Sequence, residues 1–140
     1  MFKVKIFSIH KTKELWLQEA ISEYEKRLKP YITFEWVLLK DDKELEKKVL
    51  LENFIICLDE KGQNLSSLEF SQKLQSFFQT SSKISIVIGS ENGLSNTLKN
   101  RANYILSLSS LTFTHQMVRL ILIEQLYRAI EISKNSQYHK

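Results

Sequence analysis

Ile84-Ser85-Ile86-Val87-Ile88-Gly89-Ser90-Glu91-Asn92-Gly93 is the stretch whose reading decides the fold. Its first five residues are too few for a helix, rich in β-branched side chains and closed by glycine, so they read as a strand covered on both faces. Such a strand belongs in a parallel sheet between two layers of helices. Phe54-Ile55-Ile56-Cys57-Leu58 repeats the pattern, and Asp59-Glu60-Lys61-Gly62 behind it reads as a turn.

Outward from these two strands the chain alternates. Residues 2–9 interleave apolar and basic side chains, as expected of a strand with one solvated face. Thr12 is placed to cap a helix over 13–29, where Trp16, Leu17, Ala20, Ile21, Tyr24 and Leu28 recur at helical spacing and Pro30 supplies the stop. A strand over 32–39 and a charged surface helix over 41–52 follow. Ser66 and Glu69 have the spacing of a capping box ahead of Phe70, Leu74, Phe77 and Phe78. A short helix starting near Ser95, a strand over 104–108, a loop over 109–114 and a helix over 115–133 complete the pattern.

Strands alternating with helices at these spacings imply a single α/β domain over 1–140, built on a parallel sheet. Ligands bind such sheets beyond the carboxyl ends of the strands, which singles out the loops after Leu58, Ile88 and Leu108. Val118, Leu120, Ile121, Leu122, Ile123, Leu126, Ala129 and Ile130 spread apolar surface around most of the last helix. A helix that apolar calls for burial on two sides, against the sheet and against a second copy of the chain.

Composition narrows the function. Hydrophobic residues make up 43% and charged residues 26%, which is globular composition. No basic run followed by a long apolar stretch is present, so neither a secretory signal nor a membrane span is expected, and the compartment expected is the cytoplasm. Cys57, the one cysteine, sits in an apolar run and reads as core. No metal is expected, because His10, His115 and His139 lie far apart with no ligand-spaced cluster around them. The net charge is +4, and residues 101–140 hold five Lys/Arg against two Asp/Glu, so most of the excess lies at that end. A polyanionic partner would be met there.

Gly89-Ser90-Glu91-Asn92-Gly93 lies where backbone amides can approach a ligand, but it has neither dinucleotide nor phosphate-loop spacing. Asp59 at a strand end also suits the phosphoacceptor of a receiver domain. That chemistry needs metal-holding carboxylates after the first strand, where His10 and Lys11 stand instead. No Ser-His-Asp or Cys-His arrangement can be placed. His115, Arg119 and Arg128 fall on the last helix, and Tyr138-His139-Lys140 closes the chain.

At this block the sequence resembles the SPOUT-class methyltransferases, and within them the RlmH family, which methylates N3 of a pseudouridine in large-subunit (23S) ribosomal RNA. The matching residues are Ile86-Val87-Ile88-Gly89 with Asn92-Gly93-Leu94, Leu106-Ser107-Leu108-Ser109 with Thr112-Phe113, His115-Gln116, Val118-Arg119, Glu124-Gln125-Leu126-Tyr127-Arg128-Ala129 and Tyr138-His139-Lys140. The resemblance implies a SPOUT fold with a deep trefoil knot in a cofactor-binding part over about 84–140. It implies S-adenosylmethionine as cofactor, held by Leu58, Gly89, Leu108, Ser109, Ser110, Leu111, Thr112 and Phe113. It also implies RNA contacts from His115, Arg119, Tyr138, His139 and Lys140, with His139, Tyr138 and Arg119 as candidate catalytic residues. The partners implied are ribosomal RNA or the ribosome and a second copy docked through the last helix. Two positions depart from the family: Ser90 stands in place of a second glycine and Thr114 in place of a proline. A chain that kept the fold and lost catalysis, leaving an RNA-binding protein, is the alternative those departures motivate.

Overall fold

A computed structural model describes residues 1–139. The sheet consists of β1 (Phe2–Ile9), β2 (Ile32–Leu39), β3 (Ile55–Asn64), β4 (Lys83–Val87) and β5 (Tyr104–Ser107). All pairings are parallel, in the order β2-β1-β4-β3-β5. Between the strands run α1 (Leu15–Leu28), α2 (Asp42–Val49), α3 (Ser67–Thr80) and α4 (Asn96–Arg101), and α5 (His115–Ser133) follows the last strand.

Strand periodicity divides the apolar residues between two cores. Val4, Ile6, Ile56, Ile84, Ile86 and Leu106 face α1, α3 and α5. Phe7, Ile9, Ile55, Cys57 and Val87 face the other way, onto Leu45 and Val49 of α2 and Leu98 of α4. The register sets Ile6 beside Ile86 and Ile86 beside Ile56, so the central strands are covered on both faces as the two apolar runs require. Each fully buried Leu or Ile contributes about 1.5–3 kcal/mol. Helices of 14 residues such as α1 and α3 are marginal alone in water, so the packing fixes them. Burial pushes the Cys57 thiol up to about 11, in keeping with a core residue.

Two local expectations fail. Thr12 does not cap α1: the helix starts at Leu15 after Glu14, with no side-chain cap, and the Thr12 hydroxyl accepts a hydrogen bond from Arg119 instead. Residues 59–62 are not a turn between elements. Leu58 and Gln63 both pair with Leu106, so β3 bulges there and rejoins the ladder as far as Asn64. The bulge needs Gly62, because a Cβ there would lie 2.7 Å from the Ile105 carbonyl oxygen of the neighbouring strand. Gly62→Ala is expected to destabilise the chain by about 1–3 kcal/mol, read as a lower midpoint in urea. An unchanged midpoint would show that β3 and β5 can part at no cost.

α5 lies between α1 and α3 with Leu122, Ile123, Leu126, Ala129 and Ile130 buried beneath it. Met117, Val118, Leu120 and Ile121 are only half-buried. Among the described residues no helix is long and apolar enough to cross a membrane, and no group of three or more His, Cys, Asp or Glu side chains could hold a metal ion.

Candidate active site

The carboxyl ends of β3, β4 and β5 open onto one cleft of about 890 Å³, within the usual range for small-molecule sites. Residues 58–61 form one wall, 88–94 the second and the loop after β5 the third, with His115, Gln116 and Val118 of α5 closing the base. Of the cofactor residues implied by resemblance, Leu58, Gly89, Leu108, Ser109, Leu111, Thr112 and Phe113 line this cleft. Ser110 belongs to the same loop but turns aside, where its hydroxyl accepts a hydrogen bond from the Asn64 amide at 3.5 Å.

Side chains hold the loop after β5 in shape. Ser107 Oγ donates to the Ser109 carbonyl at 3.0 Å, and Ser109 Oγ accepts from the Leu111 N–H at 3.0 Å. Thr112 Oγ1 donates to Glu60 Oε2 at 2.8 Å, joining the loop to the β3 bulge across the cleft mouth. Leu111 is 71% and Phe113 38% exposed, leaving an apolar rim in water. Behind it, Asp59 pairs with Lys99 at 2.7 Å and accepts from the Lys61 N–H at 2.9 Å. Partial burial opposes ionisation of Asp59, but the Lys99 ammonium and that amide outweigh it and hold the carboxyl below its ordinary value.

The family departures are accommodated. The tight turn 90–93 closes with the Gly93 N–H donating to the Ser90 carbonyl at 2.9 Å, and its left-handed residue is Gly93, with φ of 76°. Ser90 is not left-handed, so serine costs no backbone strain there. Thr114 caps α5: φ is −63°, close to the angle proline would fix, and its hydroxyl accepts from the Met117 N–H at 3.2 Å.

His115 opens α5 at the cleft, half-buried, with its Nε2 buried and without a hydrogen-bond partner among the described residues. Burial, and after it the Arg119 guanidinium, lower its pKa, so the ring is neutral at neutral pH. Gln116 clamps the segment after β1: its side chain accepts from the Lys13 N–H at 3.0 Å and donates to the Lys11 carbonyl at 3.1 Å.

Arg119 is a correction to the sequence reading. It is wholly buried rather than presented to a ligand. Its Nη2 donates to Ser8 Oγ, the Ile9 carbonyl and the His10 carbonyl at 3.0, 2.6 and 2.8 Å, and its Nη1 to Thr12 Oγ1 at 2.9 Å. Burial lowers its pKa to about 10, which leaves it charged at neutral pH. Among the described residues its guanidinium bonds only hydroxyl and carbonyl oxygens, and it serves to fold the β1 exit, where His10 adopts a left-handed φ of 61°.

Tyr138 and His139 lie elsewhere. Tyr138 Oη donates to Glu124 Oε1 at 3.1 Å, its ring meets Tyr127 edge-on at 4.7 Å, and Arg128 lies over it. Burial, a bond with Tyr24 and the nearby Glu124 raise the Tyr138 pKa, so the phenol stays protonated. Arg128 also binds Glu124 at 2.6 Å and reaches His139 Nδ1 at 3.1 Å. Arg128 follows His115 by thirteen residues, roughly 20 Å along α5, so this docked tail is well removed from the cleft of its own chain. Lys140 lies outside the described residues. Glu60, Lys61 and Gln116 are the site residues to which the sequence reading gave no role, and Asp59 it weighed only as a phosphoacceptor. Their nearness to Leu58 and His115 was the available signal.

Comparison with known proteins agrees with this geometry. The family described as Predicted SPOUT methyltransferase matches residues 2–139. The Ribosomal RNA large subunit methyltransferase H of Protochlamydia amoebophila is 49% identical over 141 residues, with all of both chains covered. Its namesake in Prochlorococcus marinus subsp. pastoris is 41% identical, covering 99% of this chain and 96% of the relative. A SpoU methyltransferase of Streptomyces viridochromogenes, solved with the cofactor AdoMet, shares the fold at a TM-score of 0.50 and 12% identity, covering 95% of this chain and 58% of that one. A full-length family match and a relative nearly half identical agree with a parallel sheet whose strand ends share one cleft: the chain belongs to the SPOUT methyltransferases.

Proposed function

We propose that this chain transfers the methyl group of S-adenosylmethionine to N3 of a pseudouridine in large-subunit (23S) ribosomal RNA, as a homodimer with a deep trefoil knot over about 84–140. One observation carries the reading: the loops that the resemblance assigns to the cofactor, from three separate strands, converge on a single cleft of suitable volume. The name of the Protochlamydia relative supports the RNA substrate, and the AdoMet-bound neighbour supports the cofactor. A knot accords with the order β4-β3-β5 and with the 109–114 loop bonding back onto β3 before α5 returns between α1 and α3.

The donor's sulfonium supplies an already activated methyl carbon, so the protein has to orient two reactants and manage one proton. Backbone from 108–113 and around Gly89 can grip the donor, with Leu58, Leu111 and Phe113 excluding water. Neutral His115 at the base adds no like charge beside a sulfonium. The pseudouridine N3 must lose its proton, and His139 is the acceptor we favour. Arg128 has only hydrogens to offer, so His139 Nδ1 accepts from it in the docked tail and Nε2 carries the ring proton. Tyr138 and Lys140 are assigned to stacking on a base and to phosphate.

A dimer would close the distance between tail and cleft. Met117, Leu120 and Ile121 of α5 are half-buried, the first two packed in part against the core, and Trp16 of α1 is 55% exposed. If two copies pair α5 antiparallel about a two-fold axis near Ile121, Arg128 of each falls beside His115 of the other, and each tail reaches the neighbouring cleft. The site would then be shared between subunits.

Titration calorimetry with S-adenosylmethionine, followed by labelled-methyl incorporation into ribosomal particles, tests the proposal. Heat saturating with cofactor bound to the purified protein and label at a pseudouridine are expected. Absence of heat would favour an RNA-binding protein without catalysis.

A further inference from the structure

The second wall of the cleft is held from behind by α2. Asp42 and Glu46 lie one turn apart on the same face of that helix. Ser90 Oγ donates to Asp42 Oδ2 at 2.9 Å, and Ser95 Oγ bonds Glu46 Oε1. The Ser90 hydroxyl in turn accepts from the Asn92 N–H at 3.2 Å, so one oxygen joins α2 to the turn itself.

The far end of the loop is anchored by Leu94, buried in the core against α2 and α4, and by Ser95, which caps α4, so the Ser90–Asp42 bond is what ties down its near end. An open groove of about 260 Å³ runs between Leu45 and Glu46 of α2 and Gly93 and Leu94 of the loop, so the turn is not packed tightly against α2 along its whole length. Gly93 at φ of 76° gives it a pivot. Asp42 Oδ1 is buried without a partner, a cost the fold bears at this point alone along α2. Ser90 lines the cleft and Asp42 does not.

From this arrangement we infer that Asp42 is a positioning residue for the cofactor, acting through Ser90 to hold the 89–95 loop in its binding-competent place. The inference rests on the cleft being the S-adenosylmethionine site. Without the latch the turn around Ser90 spends part of its time displaced, and apparent affinity falls by the fraction of time it is competent. Chemistry after binding is untouched.

Steady-state kinetics and calorimetry on Asp42→Ala, Ser90→Ala, the double variant and Asp42→Asn test it. Asp42→Ala is expected to raise the KM for S-adenosylmethionine roughly tenfold while kcat changes less than about twofold. Ser90→Ala should match it, and the double variant should be no worse than either single one. Asp42→Asn should recover most of the affinity, because its amide oxygen still accepts from Ser90. A KM unchanged in Asp42→Ala and Ser90→Ala, additive single effects, or a fall in kcat alone would overturn the inference. The unsubstituted chain failing to bind the cofactor would instead remove the functional reading, and the latch's role with it.

Discussion

Arg119→Ala is expected to lower the stability of the chain by about 3 kcal/mol or more, the largest effect of any single substitution proposed on α5. The side chain is wholly buried, and removing it leaves two hydroxyls and two carbonyl groups at the β1 exit without their donor, together with a cavity. Hydrogen bonds from a charged donor contribute more than neutral ones, and an orphaned buried acceptor costs about 1–3 kcal/mol. Thermal unfolding should show a drop on the order of 10 °C. Arg119→Lys should recover only part of it, since one ammonium cannot reproduce the forked geometry that spans Ser8, Ile9, His10 and Thr12. A variant as stable as the parent would mean that water replaces the guanidinium freely, and that Arg119 is available for ligand after all.

The second large effect falls on turnover. His139→Ala is expected to reduce kcat by about 10²–10⁴-fold, the usual worth of a positioned proton acceptor, while cofactor affinity stays within about twofold. The separation follows from geometry: His139 docks near Arg128, about four turns of α5 from the cleft, and touches none of the cleft's lining. A mixture of His139→Ala chains with chains damaged in the cleft should regain activity if tail and cleft act in trans, since some mixed dimers then hold one intact pair. Equal activity of parent and variant would remove His139 from the chemistry. Lost activity with no rescue by mixing would argue that each tail serves its own chain.

Much of the architecture was legible in one chain because the central strands are buried on both faces. Such strands must be almost wholly apolar, as 54–58 is and as 84–88 is but for Ser85, and the intervening segments carry helical periodicity. The capping box of Ser66 and Glu69 also formed as its spacing required. Where the reading erred, a tertiary partner intervened. Thr12 has the side chain of a cap, but a guanidinium from residue 119 claims it. The 59–62 segment has turn composition, yet the fifth strand lies close enough to draw the chain back into the ladder. Arg119 was expected at a ligand from the resemblance, and a charged side chain is rarely buried without a carboxylate. The Ile9 and His10 carbonyls, exposed by the left-handed His10, and the hydroxyls of Ser8 and Thr12 together offset its burial.

The sequence by itself determined the layered α/β class, the two apolar strand runs at its centre and the three loops where a ligand would sit, because these follow from period and from strand ends, which are local. Tertiary structure alone decided that those loops share one cleft, that Arg119 faces inward, that Asp42 stands behind Ser90 and that the tail rests four turns of helix away. These depend on contacts between residues dozens of positions apart, and spacing along a chain carries no information about them until the sheet order β2-β1-β4-β3-β5 has brought them together.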